Sequence, residues 1–212
     1  MNRKNSWYAI VTVVFISLTS SGDAAVRISP QHPREITRLA ELAHWRPGTI
    51  VADVGAGDGT YSFVAAQKVG PSGRVYATEI DTEKLQQLRT EVTKRKLDNI
   101  TVVEGTADDT KLPSSCCDTI FLRHVYHHLT QPQEFNKHLV RSLKPGAYLA
   151  VIDFPPSPNS SLPEGVPENR RGHGIPEKVM EDELTTAGLQ VEKVIDDWSA
   201  QDYCVIFIKR SP

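Results

Sequence analysis

Three glycines at alternate positions, Gly55, Gly57 and Gly59, end the apolar run Thr49 to Val54 and precede a helical stretch. Lacking Cβ atoms, they let a ligand reach the backbone, and the unpaired N–H groups of a helix starting near Thr60 face the same space. Glu79 closes a second apolar run, 24 residues after Gly55. A carboxylate there can accept hydrogen bonds from both hydroxyls of a ribose. Dinucleotide sites read G-x-G-x-x-G, whereas this turn reads G-x-G-x-G with Asp58 inside it. A negative side chain repels a pyrophosphate but suits a ligand carrying an amino group and a sulfonium. Asp53, at the end of the first run, adds a second carboxylate near that amino group. The alternative for Asp58 is a solvated turn residue.

A second group of chemical residues is His124, His127 and His128, with Tyr126 among them. His124 directly follows the run Asp118 to Arg123 and is the candidate general base; a shape or packing role is the alternative. His127 and His128 are expected to begin a helix. Three histidines without a carboxylate in ligand spacing do not form a metal site, so none is expected. Arg170, Arg171 and His173 stand in a proline-rich stretch, either to bind an anionic substrate or as a solvated loop.

The elements that position these groups alternate strand and helix. Buried strands are expected over Thr49 to Val54, Arg74 to Glu79, Ile100 to Glu104, Asp118 to Arg123 and Ala147 to Phe154. Helices are expected from Arg34 to His44, from Thr60 to Lys68, after the N-cap Asp81 and from Gln131. A further one opens with Pro176 in its first turn. Pro155 to Gly174 reads as a long surface loop. Gln190 to Trp198 and Asp202 to Lys209 are strands joined by so short a link that they must be antiparallel, since a parallel crossover needs about a dozen residues. The sum is a doubly wound α/β sheet of five parallel strands plus a terminal antiparallel hairpin.

The chain has 212 residues, 39% of them hydrophobic, and a formal net charge of −2. That balance describes a globular domain and argues against a general nucleic-acid binder. Arg3 and Lys4, the uncharged apolar run Trp7 to Leu18 and the small residues up to Ala25 have the layout of a signal peptide. The run is shorter than the roughly 20 residues of a membrane-spanning helix. The expected organisation is therefore a signal peptide over 1–24, with an uncleaved N-terminal anchor as the alternative, and a single domain over 25–212. Cys116, Cys117 and Cys204 match no zinc or redox spacing, and Cys204 reads as a core residue.

Val51-Ala52-Asp53-Val54-Gly55-Ala56-Gly57-Asp58-Gly59-Thr60 resembles the first motif of the class I S-adenosylmethionine-dependent methyltransferases. Ala77-Thr78-Glu79-Ile80-Asp81 is similar to that family's second-strand acidic motif. Asp118-Thr119-Ile120-Phe121 with His124 to Leu129, and Leu143 to Leu149, resemble its fourth- and fifth-strand motifs. The resemblance runs from about Thr49 to Phe154, extended to Lys209 by the terminal hairpin. It implies a Rossmann-like sheet of about seven strands in the order 3-2-1-4-5-7-6, the last antiparallel.

Carried onto this sequence, the family's cofactor site implies that Gly55, Ala56 and Gly57 line the methionine part of S-adenosylmethionine, beside Asp53. Glu79 holds the ribose and Ile80 lies against the adenine. Asp108 contacts the adenine amino group, or the backbone N–H of Ala107 or Asp108 serves the ring nitrogen; the residue after Gly105, where relatives often carry Asp, is Thr106. Arg123, ending the fourth strand, completes the cofactor-lining set. The turn Arg123-His124-Val125-Tyr126 lacks the Pro-Pro-aromatic pattern of enzymes that methylate nucleic-acid bases. The expected activity is methyl transfer to a small or medium-sized acceptor, with no nucleic-acid partner and no stable membrane span; no oligomeric state is implied. Export, to a periplasm or the medium, would carry the chain away from where that cofactor is made. The rival reading is an exported, non-catalytic or repurposed adenosyl-ligand-binding domain of the same fold. Mass spectrometry of the protein recovered from its native host is expected to show cleavage after Ala24; an intact Met1 would remove the export argument.

Overall fold

Alternate residues along the central strands are buried on opposite faces of one sheet, as the two-residue period of a strand requires. Val51, Phe121, Ile152 and Ile206 belong to one apolar layer, while their neighbours Ala52, Ile120, Val151 and Val205 belong to the other. The computed structural model describes residues 29–157 and 159–211. The expected signal segment, 1–24, lies outside the described residues.

Among the described residues the strands are β1 (Ile50–Val54), β2 (Arg74–Glu79), β3 (Ile100–Glu104), β4 (Cys117–Arg123), β5 (Leu143–Asp153), β6 (Gln190–Ile195) and β7 (Tyr203–Ile208). They form one seven-stranded sheet in the order β3-β2-β1-β4-β5-β7-β6. β1 to β5 are parallel, and β7 runs antiparallel to β5 and β6. This is the topology the sequence implied. Helices α1 (Gln31–Leu42), α2 (Thr60–Val69) and α3 (Thr82–Arg95) cover one face through Ile36, Leu39, Phe63 and Leu88. Helices α4 (Pro132–Ser142) and α5 (Glu177–Thr186) cover the other through Phe135, Leu139, Met180 and Leu184.

Local chemistry accounts for the element ends. Asp81 caps α3, its carboxylate accepting from the N–H of Glu83 at 2.9 Å and of Lys84 at 3.0 Å. Pro176 lies just outside α5, with ψ 129°, rather than in its first turn. Residues 126–128 form a single 3-10 turn, not the start of a longer helix. All three cysteines are free, and Cys204 is fully buried in β7. Among the described residues no helix is long and apolar enough to cross a membrane.

β1 pairs with β2 on one side and β4 on the other, so the strand order reverses there and a crevice opens beyond the carboxyl ends. Gly59 holds α2 at that point. Its φ is +81°, and an added Cβ would fall 2.4 Å from Leu88 Cδ1 and 2.7 Å from Phe63 Cζ. Gly59→Ala is therefore expected to cost about 2 kcal/mol or more, from both backbone strain and overpacking. At Gly57, φ is +57° and no atom lies within 4 Å of the corresponding Cβ, so Gly57→Ala should cost less. Urea denaturation of the two variants checks the difference.

Candidate cofactor and active site

The crevice is a cavity of about 680 Å³, within the range of small-ligand sites. One wall is the glycine turn, with Gly55 and Gly57; the next is Glu79 and Ile80 at the end of β2. Gly105, Thr106 and Ala107 follow β3, and Arg123, His124, Val125 and His128 close the side formed by β4. Gly55 has φ +76°, and a Cβ there would strike Val125 Cγ2 at 2.5 Å. The turn therefore admits only glycine while Val125 stays in place.

Glu79 shapes the cavity from within. Its Oε2 accepts from Gly57 N–H at 2.9 Å, and its Oε1 accepts from the N–H of Ile80 at 2.7 Å and Asp81 at 3.0 Å. One carboxylate thus ties the glycine turn to the start of α3. Ile80 is 61% exposed beside it, an apolar surface open to a flat ring. Asp58 faces neither: its Oδ1 accepts from Thr60 N–H at 2.9 Å and Thr60 Oγ at 2.7 Å, capping the start of α2.

Arg123 is held by groups from three distant segments. Its Nε lies 2.9 Å from Glu35 Oε2 in α1, and its Nη2 lies 3.4 Å from Asp202 Oδ2 just before β7. The Tyr61 ring stacks 5.0 Å beneath the guanidinium carbon. Glu35 also accepts from Tyr61 at 3.0 Å, Trp198 Nε1 at 3.3 Å and Gln31. Burial pushes the Glu35 carboxyl up, and Arg123, Gln31 and Trp198 outweigh it, leaving it below the usual carboxylate range. His124, at φ +55°, has Nε2 2.8 Å from Asp202 Oδ1 and Nδ1 3.2 Å from Arg123 Nη1. Both its nitrogens are engaged. That arrangement favours the packing role over the general base.

The structure brings Gly55, Gly57, Glu79, Ile80, Ala107, Arg123 and His124 to the cavity. Ala56 is buried in the turn. Asp53 and Asp108 do not line the cavity: Asp53 is bonded beneath α2 to Ser62 Oγ at 2.6 Å, and Asp108 is exposed and bonded to Thr106 Oγ at 2.6 Å. Asp109 lies on the wall instead. Arg170 is neither a substrate ligand nor a solvated loop residue. It is fully buried and paired with Glu183, whose Oε2 also accepts from Tyr126 at 3.0 Å. The expectation of no metal site weighed His124, His127 and His128; the histidines that gather are His127, His128 and His173, with a carboxylate, Asp153, behind them. Neither Glu35 nor Asp202 was a candidate site residue in the sequence reading. Glu35 had a signal: it lies one helical turn before Leu39, on the stripe that α1 buries. Asp202 had none, because only the hairpin's docking brings it to β4.

A doubly wound sheet with this strand order and a ligand cavity at its switch point defines a Rossmann-like α/β domain of methyltransferase topology. Residues 52–151, just under half of the chain, match the family described as Methyltransferase domain, and the sheet has the class I, Rossmann-like methyltransferase fold. A demethylmenaquinone methyltransferase of Listeria monocytogenes is 27% identical over 139 residues, 60% of this chain and 59% of that protein. A ubiquinone/menaquinone biosynthesis C-methyltransferase of Pseudomonas paraeruginosa is 29% identical over 123 residues, 58% of this chain and 48% of that one. The chain thus spans less than two thirds of the length of these curated relatives. The crystal structure of a SAM dependent methyltransferase from Aquifex aeolicus superposes with TM-score 0.71 at 27% identity, covering 86% of this chain and 94% of that one.

Asp53, beneath the site, gives the fold a pH dependence. Burial pushes its carboxyl from 3.8 up to about 7, opposed by the Ser62 hydrogen bond and aided by the charges of Asp58 and Glu79. The folded protein then keeps a proton that the unfolded chain releases above about pH 4, so stability from this group declines as pH rises from about 4 to about 7. The decline amounts to ~4 kcal/mol. Asp53→Asn is expected to remove it, and urea unfolding of both proteins across that range measures the difference.

Proposed function

We propose that the protein is an S-adenosylmethionine-dependent methyltransferase acting on a small or medium-sized acceptor by in-line displacement, and that its N-terminal segment exports it. The observation that carries the reading is the carboxylate of Glu79, bonded to Gly57 N–H of the glycine turn, on the wall of a cavity of nucleoside size. A carboxylate offers about four lone-pair positions; backbone N–H groups take three on Glu79, leaving one for a ribose hydroxyl. Ile80 offers its exposed side chain to the adenine, and Gly55 and Gly57 keep the methionine end free of side chains. When bound, S-adenosylmethionine supplies a methyl group already activated on a sulfonium.

What remains for the chain is alignment, since the acceptor atom must stand about 3 Å from the transferred carbon. Val125 and His128, on the wall formed after β4, are placed to shape that approach. Arg123, fixed by Glu35 and Asp202, holds the wall in position. The two curated relatives are named for demethylmenaquinone and for ubiquinone/menaquinone biosynthesis, which supports a small-molecule acceptor. The engagement of both His124 nitrogens, together with the signal-like segment, favours one rival: an exported domain that binds the cofactor without turning it over.

Calorimetric titration is expected to show binding of S-adenosylmethionine and its homocysteine product but not NAD. Failure of both to bind overturns the proposal, and binding without methylation of any acceptor moves the balance to the rival. Glu79→Ala is expected to weaken S-adenosylmethionine binding about 10- to 100-fold, the ~1.5–3 kcal/mol of a hydrogen bond to a charged group. Glu79→Gln, which keeps an acceptor oxygen on the turn, separates that loss from misfolding. Unchanged affinity in both variants refutes the ribose assignment.

A further inference from the structure

The loop after β5 returns His173 to the histidines that follow β4. His127 is 2% exposed, and its Nδ1 lies 2.8 Å from Oδ1 of the fully buried Asp153. Asp153 also accepts from the backbone N–H of His127 at 3.2 Å and of Phe154 at 3.0 Å. With Asp153 accepting from both backbone N–H groups, the 2.8 Å contact sets the His127 proton on Nδ1 and leaves the Nε2 lone pair free. That Nε2 lies 3.3 Å from His173 Nε2. A nitrogen of His128 joins them, the three donor atoms lying within 4.8 Å of one another.

Two imidazole nitrogens this close need either a proton or a cation between them. Ligand bonds of 2.0–2.1 Å in tetrahedral geometry separate neighbouring nitrogens by roughly 3.3 Å. The same spacing stands between His127 and His173. His128 and His173 are exposed, so their rings can turn to close the remaining gap. A carboxylate on the far nitrogen of a ligating histidine is the usual means of fixing its tautomer and strengthening it as a donor.

We propose that His127, His128 and His173 bind a first-row divalent cation of the zinc type, with Asp153 orienting His127 from behind. Three neutral imidazoles suit zinc, copper, nickel or iron and not magnesium or calcium. Because His128 also lines the cofactor cavity, the cation stands at the cavity's edge, beyond the ends of β4 and β5. Three protein ligands leave a position open. Resting on the methyltransferase reading, that position would take a hydroxyl or thiol of the acceptor and favour loss of its proton to solvent water, a task for which His124 has no nitrogen free; the resulting anion would form its bond to the methyl carbon as the sulfonium S–C bond breaks and the homocysteine product leaves.

The test uses the full chain, tag removed and stripped with EDTA, titrated with Zn2+ by calorimetry and with Co2+ by absorption. One ion per chain is expected, with a Co2+ spectrum of nitrogen ligation. A Cys116→Ser, Cys117→Ala background, which removes thiolates as competing ligands, should leave this unchanged. His173→Ala, an exposed change that spares the fold, is expected to weaken Zn2+ binding at least 100-fold, and Asp153→Asn about 10- to 100-fold. S-adenosylmethionine affinity of His173→Ala, measured alongside, is expected to equal wild type, so the metal proposal and the methyltransferase reading can fail separately. Absence of Zn2+ and Co2+ binding, equal binding in His173→Ala, or loss of binding only in the cysteine background overturns the site.

Discussion

Five parallel strands deliver their last side chains to one edge of the sheet, and the polar ones among them must find partners away from bulk water. Asp53 ends against Ser62 under α2, Glu79 against three backbone N–H groups, Arg123 against Glu35 and Asp202, and Asp153 against His127 and Phe154. Each solution recruits a different segment to the edge. The glycine turn, the first helix, the terminal hairpin and the histidine turn are therefore anchored by the strand ends they surround.

The Arg123 group shows the cost and use of this arrangement. A largely buried guanidinium and two nearly buried carboxylates lose much hydration, which a single contact does not restore. Here Glu35 gathers Arg123, Tyr61, Trp198 and Gln31, and Asp202 gathers Arg123 and His124. Such a group contributes less to stability than to geometry. It joins α1 and the β6-β7 hairpin to the end of β4, so one wall of the cavity is set by parts of the chain far apart in sequence. The left-handed backbone of His124 persists because those partners hold it on both sides.

Charge along the edge also divides the cavity by chemistry. The wall at β1 and β2 is acidic and built from backbone and carboxylate, suited to hydroxyl and amino donors. The wall beyond β4 and β5 is rich in histidine and carries Arg123, and burial together with neighbouring histidines holds His128 below its usual pKa.

The strands and the two-faced core were legible in the sequence, because a buried parallel strand is an uninterrupted apolar run and a glycine turn leaves a local mark. The strand order and the roles of Gly55, Glu79 and Ile80 were what the family resemblance carried by local motifs implied. The partners of the charged residues were not legible. Arg123 and His124 sit beside each other in sequence, but Glu35 and Asp202 reach them from 88 and 78 positions away. Arg170 looked like an exposed loop cation and is instead locked in the core by Glu183. The histidines illustrate the limit most clearly. Sequence placed His127 and His128 together, but His173 joins them only when the loop after β5 folds back, and Asp153 becomes their support only because β4 and β5 lie side by side. Periodicity and turn chemistry are local and can be read along the chain, whereas the pairing of polar side chains at a sheet edge depends on which segments the packed core brings there.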